Sequence, residues 1–187
     1  MLILGVDPGL ANCGWALLDS RDARVRDCGT VVTGCEDETG DMQRRAEEVL
    51  VAIRPRVSLA DLVVIEWPSP GGFGRPTEGE AICPVCRTTK KSGNAKSAAQ
   101  TNAIAGGVLG LVIASKKDHL TPVPITWRRA LGCHRGSDVD LHKRLAAVYR
   151  RTAARLTKGA LPHVLDSIGL ALFGRLKAVN LLSQRTQ

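Results

Sequence analysis

Aromatic residues and long hydrophobic runs are both scarce in this sequence. Phe, Trp and Tyr make up only 3% of the 187 residues, although 44% are hydrophobic. A core built from this chain must therefore consist mostly of Val, Leu, Ile and Ala. The longest apolar run, residues 104–114, contains three glycines and is too short to cross a bilayer. We therefore expect no membrane-spanning segment.

A secretion signal is also lacking, because the N-terminus has neither a basic segment nor a small-residue cleavage site. We therefore expect an intracellular, cytoplasmic protein. In that compartment the six cysteines are expected to be free thiols or metal ligands rather than disulfides.

Acidic residues are rare in the second half of the chain. Residues 1–86 contain 8 Lys/Arg and 14 Asp/Glu, a net charge of −6, whereas residues 87–187 contain 18 and 4, a net charge of +14. This asymmetry favours a polyanionic partner, and nucleic acid is the expected one.

The hydrophobic pattern predicts one mixed α/β domain over residues 1–187, with a long inserted loop at about 67–93. Three strands joined by short links come first and suggest an antiparallel meander. Strands are predicted at 2–6, 14–18, 24–33, 61–66 and 120–123. Helices are predicted at 41–54, where Pro55 should end the helix, and at 95–115, 126–131, 138–156 and 161–177.

Four separated residues are candidates for a metal site. Asp7 and Glu66 each end an aliphatic strand, and His163 and Asp166 are three residues apart in the last helix, so they share a face. If the two strands are neighbours, their carboxylates converge and repel, and a divalent cation relieves that conflict. Taken singly, each residue also has a structural explanation as a turn, strand-end or helix-terminal residue. Their combination favours a Mg²⁺ site.

The segments "ILGVDPGLANCGWALLD", "LVVIE" and "HVLDSIGLAL" resemble the signature segments of the RuvC family of Holliday junction resolvases. The resemblance implies a ribonuclease-H-like fold, with a mixed five-stranded sheet and helices on both faces. It also implies a homodimer that cuts four-way DNA junctions by paired nicks. In that family four residues bind two Mg²⁺ ions, and the matching residues here are Asp7, Glu66, His163 and Asp166. Mn²⁺ is expected to substitute, because His163 contributes nitrogen.

The resemblance also implies basic residues that assist the reaction or bind DNA. Lys143 is the candidate for phosphate contact or transition-state stabilisation, although the usual spacing before the lysine is not kept. Arg128 and Arg129 occupy a second basic region and are expected to hold DNA phosphates. In the inserted loop, Phe73 is the candidate to insert into the junction. The basic run after it offers further phosphate contacts from Arg87, Lys90, Lys91 and Lys96. Solvated lysines and a loop residue that folds back are the alternatives.

The motif "CPVC" at Cys83 and Cys86 has the spacing of a zinc knuckle. A structural zinc ion needs four ligands, and Cys133 with His134 is the available second pair. Two reduced thiols in a turn are the favoured interpretation.

Three other functions stay open from the sequence. A strand followed by Asp and a Gly-rich turn also begins actin-like ATPases and sugar kinases, but those need two such domains. A non-catalytic module that binds branched nucleic acid is the second alternative. The third is a less selective nuclease that cuts forks, flaps or other branched substrates. The sequence leaves a helicase partner undetermined.

Overall fold

The protein is described by a computed structural model, which covers residues 1–34, 41–68, 95–133 and 138–185. Within these ranges the side chains at 41, 95–98, 138 and 179–185 are not described. The strands are β1 (Leu2–Asp7), β2 (Asn12–Asp19), β3 (Arg24–Val32), β4 (Leu62–Ile65) and β5 (Asp118–Leu120). The helices are α1 (Asp41–Leu59), α2 (Ala95–Ala114), α3 (Pro124–Ala130), α4 (Asp138–Val148), α5 (Arg150–Ala153) and α6 (Leu161–Arg185).

The strands form one mixed sheet in the order β3-β2-β1-β4-β5. The first three strands pair antiparallel, as the short links between them predict, and β4 and β5 add in parallel. The parallel connections pass through helices, as parallel strands require. The predicted mixed five-stranded sheet with helices on both faces is confirmed.

Alternating side chains of the sheet point into two hydrophobic cores, one on each face. Leu4 and Val63 point into the core that α1 and α2 cover, whereas Ile3 and Val64 point into the core under α3, α4 and α6. Both cores are rich in Val, Leu, Ile and Ala, in agreement with the composition. No helix in the described part of the chain is long and apolar enough to span a membrane.

Helix α6 lies unusually close to the sheet because two strand residues lack side chains. A Cβ atom at Gly5 would lie 2.0 Å from the backbone oxygen of Ser167, and one at Gly14 would lie 2.3 Å from that of His163. Only glycine permits this approach at these positions. The contact fixes the first turns of α6 over the end of β1.

Helix α1 continues through Pro55 to Leu59, so the prediction that Pro55 ends it is wrong. Proline removes the hydrogen bond to the carbonyl of Val51, but Val51 is 68% exposed and lies on the solvent side of the helix. The extra turn buries Val57 in the core. Burial of this side chain thus outweighs the local cost of the proline.

Three other boundaries differ from the prediction, the first two for backbone reasons. The last strand lies at Asp118–Leu120 rather than 120–123, because Pro122 and Pro124 cannot donate hydrogen bonds to a neighbouring strand. The helix predicted at 138–156 is interrupted at Tyr149, whose backbone leaves the helical region (φ −99°, ψ 41°). The last helix continues past its predicted end at residue 177, to Arg185.

Candidate active site

Asp7 and Glu66 lie side by side at the ends of two paired strands. Val6 pairs with Ile65 in the parallel β1–β4 ladder, and the backbone N–H of Glu66 donates to the carbonyl of Val6 over 3.0 Å. Both acids fall on the same face as Ile3 and Val64, which is the face that α6 covers. The two carboxylates therefore emerge under the beginning of α6.

Helix α6 adds His163 and Asp166 above the two strand ends. These residues share one face of the helix. The Nδ1 atom of His163 forms a 2.8 Å hydrogen bond with Oδ2 of Asp7. The carboxylates of Asp7, Glu66 and Asp166 are each only 15–17% exposed, so all three are largely withdrawn from water.

Two other helices orient the remaining carboxylates. The indole Nε1 of Trp127 in α3 donates to Oε2 of Glu66 over 2.7 Å, and Nε2 of His142 in α4 lies 2.9 Å from Oδ1 of Asp166. Trp127 is fully buried and packs against Gly169, where a Cβ atom would come within 2.5 Å of the ring. Each of the three acids thus has one oxygen held by a ring nitrogen.

Among the described Lys and Arg side chains, Arg128 lies nearest to the acids. Its Nη2 atom lies 4.0 Å from Oε2 of Glu66 and 3.7 Å from Oδ2 of Asp166. The guanidinium also lies over the Trp127 ring, 5.0 Å from its centre. Arg128 therefore compensates part of the negative charge of the acidic cluster.

Burial leaves this cluster electrostatically unfavourable. Burial raises the pKa of Glu66 to about 7, and the charge of Asp7 adds to this effect. Burial also raises the pKa of Asp7, despite the opposing hydrogen bond from His163. The same hydrogen bond raises the pKa of His163. The cluster consequently favours additional positive charge, either protons or a cation.

The chemistry of the donors fits a hard divalent cation. Carboxylate oxygens are the ligands that Mg²⁺ prefers, and a neighbouring imidazole is also accepted by Mn²⁺. In the described part of the chain, no three His, Cys, Asp or Glu side chains converge tightly enough to hold an ion in their present positions. Asp7 contacts His163 instead, and Asp166 contacts His142. The donor types fit, whereas the present side-chain positions do not yet enclose an ion.

The other predicted residues have different locations. Lys143 is exposed on α4, next to His142, which contacts Asp166. Arg129 is exposed on α3, whereas Arg128 turns towards the acids. Cys133 is buried in the core under α6. Phe73, Cys83, Cys86, Arg87, Lys90, Lys91, His134 and the side chain of Lys96 lie outside the described residues, as does most of the loop at 67–93.

Sequence reasoning missed Trp127 and His142 as neighbours of the acids. Trp127 directly precedes Arg128 in "TWRRALG". The chain has only three tryptophans, so one beside a pair of arginines was an available signal. His142 has no comparable signal, because a histidine in a basic amphipathic helix is ordinarily exposed. Its contact with Asp166 depends on how α4 packs against α6.

No protein-family profile matches the chain. It is 46% identical over 46 residues to the crossover junction endodeoxyribonuclease RuvC of Ehrlichia chaffeensis, which covers 24% of this chain and 30% of that protein. It is 44% identical over 43 residues to RuvC of a Synechococcus species, covering 22% of this chain and 28% of the relative. The matches therefore span about a third of the relatives' length or less.

Two solved structures match almost the whole chain. Thermus thermophilus RuvC has a TM-score of 0.66 at 15% identity, over 96% of this chain and 97% of that one. T. thermophilus RuvC in complex with a Holliday junction substrate has a TM-score of 0.64 at 14% identity, over 92% and 91%. The chain has the RuvC fold. This shared fold, together with the partial sequence matches, confirms the resemblance drawn from the three sequence segments. In the sheet, Asp7 ends β1 and Glu66 directly follows the neighbouring β4.

Proposed function

We propose that this protein is a divalent-metal-dependent endodeoxyribonuclease that resolves four-way DNA junctions by paired nicks. The observation that carries the proposal is the meeting of Asp7, Glu66 and Asp166 under α6, each with one oxygen held by a ring nitrogen. Similarity to RuvC proteins in sequence and fold supports the choice of substrate.

In this proposal Asp7, Glu66, Asp166 and His163 hold two Mg²⁺ ions, for which Mn²⁺ substitutes. When bound, the metal supplies an activated water and stabilises the leaving oxygen of the phosphodiester. The protein's own contribution is orientation. Trp127 Nε1 fixes Oε2 of Glu66, His163 Nδ1 fixes Oδ2 of Asp7, and His142 Nε2 fixes Oδ1 of Asp166.

Arg128 has a second role in the proposed mechanism. Its guanidinium lies beside Glu66 and Asp166, so it compensates their charge and is within reach of a phosphate brought to the same acids. Arg129 and Lys143 are exposed on adjacent helices and remain the proposed contacts for flanking phosphates. Phe73, Arg87, Lys90 and Lys91 of the 67–93 region and Lys96 at the start of α2 belong to the same proposal as DNA contacts.

The assembly and location are part of the proposal. One nuclease domain spans residues 1–187, and two copies supply the two active sites that paired nicks require. We place the protein in the cytoplasm, where branched DNA intermediates are accessible. A less selective nuclease that cuts forks or flaps is the alternative outcome of the experiment below.

The test is a cleavage panel in Mg²⁺ with matched variants. Wild-type protein, Asp7→Asn and the remote control Asp61→Asn are incubated with a four-way junction, a fork, a flap, a linear duplex and an RNA–DNA hybrid. We expect paired, symmetric nicks in the junction from wild type and Asp61→Asn, and binding without nicking from Asp7→Asn. Equal cutting of forks and flaps would replace junction resolution by general branched-DNA cleavage. Wild-type rates from Asp7→Asn would disprove the proposed mechanism.

A further inference from the structure

A groove lined by arginines lies at the end of the sheet opposite to the acids. One wall is the turn between β2 and β3 with the start of β3, and the other is the corner between α4 and α5. The register of β1 and β2 pairs Leu2 with Asp19 near the groove and Asp7 with Gly14 at the acidic site. Asp7 lies five positions after Leu2 along β1, a distance of roughly 17 Å.

Four arginines line this groove. Arg24 comes from β3, Arg150 and Arg151 from α5, and Arg155 from the turn that follows. All four residues are exposed, and no carboxylate in the described part of the chain lies within ion-pair distance of them. The groove therefore has an excess of positive charge.

The acid in the groove does not neutralise these arginines. Asp22 accepts a hydrogen bond from the backbone N–H of Arg24 and forms an ion pair with Arg26, at 3.0 and 3.5 Å. Arg150 and Arg151 are consecutive in α5, and Arg155 follows two residues after the helix ends at Ala153. A bound anion would balance the charge of these arginines.

The walls of the groove are fixed by two hydrogen bonds. The hydroxyl of Tyr149 donates to the carbonyl of Ala23 over 2.9 Å, and Nε of Arg175 in α6 donates to the carbonyl of Ser20 over 2.7 Å. Ala23 has a positive φ of 55°, which a non-glycine residue rarely adopts. The interruption of the helix at Tyr149 thus ties the arginine-bearing corner to the β2–β3 turn, and the groove is part of the fold rather than an accidental gap.

We propose that this groove, which we call the far-end groove, binds the phosphate backbone of a DNA duplex outside the nuclease site. Repeated guanidinium groups along an open groove suit regularly spaced phosphates, because arginine recognises phosphate through several donors at once. Contacts to phosphate carry no sequence information, so this binding is expected to be independent of sequence. On the proposed function, it holds an arm of the branched substrate away from the cut.

The experiment measures the salt dependence of binding in EDTA, where neither metal nor cleavage contributes. The probes are a 30-base-pair linear duplex and a four-way junction. The variants are Arg151→Ala/Arg155→Ala, the charge-preserving Arg151→Lys/Arg155→Lys, and the control Arg54→Ala/Lys116→Ala, which removes two exposed cations outside the groove. Thermal unfolding of each variant checks that it is folded.

We expect the far-end alanine variant to lower the magnitude of the slope of log K against log salt concentration by up to about 1.8, since each lost phosphate contact removes about 0.9. The lysine variant and the control should keep the wild-type slope. An unchanged slope in the folded alanine variant overturns the proposal, and so does an equal loss in the control.

The outcome is separable from the proposed nuclease function. A protein that prefers the junction and cuts it, but whose slope is unchanged by the far-end substitutions, retains the nuclease function and loses this site. A protein that cuts no branched DNA but shows the expected slope change keeps the site and loses the nuclease function.

Discussion

Asp7 and Asp19, at opposite ends of the same strand pair, are stabilised in different ways. Asp19 is 3% exposed, and its carboxylate contacts the guanidinium groups of Arg21 and Arg26 at 3.1 and 2.7 Å. Hydrogen bonds from these arginines hold the pKa of Asp19 well below its ordinary value, and the bond from Arg21 has the larger effect. At the other end, burial raises the pKa of Asp7, and a histidine is its closest partner.

The two ends of the strand pair differ in how the protein balances the charge of a carboxylate. Asp19 is neutralised by the protein's own cations, and it also connects the β2–β3 turn to its neighbours. Among the described Lys and Arg side chains, Arg128 alone lies within 4.0 Å of the acids of the cluster, at 3.7 Å from Asp166 and 4.0 Å from Glu66. Within the described residues, these three acids thus have fewer close arginines than Asp19 alone, and a divalent cation would supply further positive charge.

The largest expected effect is on the cleavage rate, when Asp7 and Asp19 are each replaced by asparagine in separate variants. Asp7→Asn should lower junction cleavage by about 1,000-fold or more, equivalent to ~4 kcal/mol of transition-state stabilisation, because a proposed metal ligand is lost. Asp19→Asn should leave the cleavage rate near that of wild type when both are assayed well below their melting temperatures. Single-turnover kinetics in Mg²⁺ measure both. Equal losses in the two variants would show that the ends do not differ in function.

The next effect concerns how closely α6 approaches each end of the sheet. Gly14→Ala places a Cβ atom 2.3 Å from the backbone oxygen of His163, which cannot move without shifting α6. We expect this variant to lose about 3 kcal/mol of unfolding free energy.

Gly174→Ala is the matched variant towards the other end. Its Cβ atom would lie 2.6 Å from a methyl group of Val64 and 3.0 Å from one of Ile3, and these side chains can shift. We expect a loss of only about 1 kcal/mol. Urea unfolding measures both, and a larger loss in Gly174→Ala than in Gly14→Ala contradicts the account of α6 packing.

A smaller effect should appear as pH-dependent stability at the acidic end. The pKa of Glu66 rises from 4.5 to about 7 in the folded protein, so its ionisation costs stability. The cost is absent below the ordinary pKa, grows as the pH rises, and is complete above the folded value. In EDTA, Glu66→Gln should therefore match the unfolding free energy of wild type near pH 4 and exceed it by roughly 3 kcal/mol near pH 8. A difference in unfolding free energy that stays constant across this pH range would argue against a raised pKa of Glu66.

The opposite pH dependence is expected at the far end. Because the folded pKa of Asp19 is lowered, its stabilising contribution is complete above the ordinary pKa of 3.8 and is lost as the pH falls through the folded value. Asp19→Asn should melt at a lower temperature than wild type at pH 7, and the gap should narrow as the pH falls below 4. A gap that widens in acid contradicts the assigned ion pairs. Melting curves followed by circular dichroism measure it.

Much of the acidic site could be predicted from local sequence. Asp7 and Glu66 each end a continuous aliphatic run, and the three-residue spacing of His163 and Asp166 places them on one helix face. These features depend on periodicity, which is a local property. The antiparallel order of the first three strands followed from their short links in the same way.

The remaining features depend on packing and could not be predicted. The continuation of α1 past Pro55 rests on the burial of Val57, and the break at Tyr149 coincides with a hydroxyl contact to Ala23, which is 126 residues away in sequence. The contact between His142 and Asp166 likewise joins two helices. Arg128 was predicted to bind DNA phosphates, but its position beside two acids is set by the packing of Trp127 against Gly169.

The most direct test of the central claim is a Mg²⁺ titration of thermal stability without DNA. If the acidic end binds a cation that the fold itself does not supply, Mg²⁺ should raise the melting temperature of wild type and of Asp19→Asn. A ligand at 100 times its dissociation constant adds about 2.7 kcal/mol to the free energy of unfolding. Asp7→Asn should show a much smaller rise. No rise in wild type, or an equal rise in Asp7→Asn, would contradict the claim that the acidic end is a metal site.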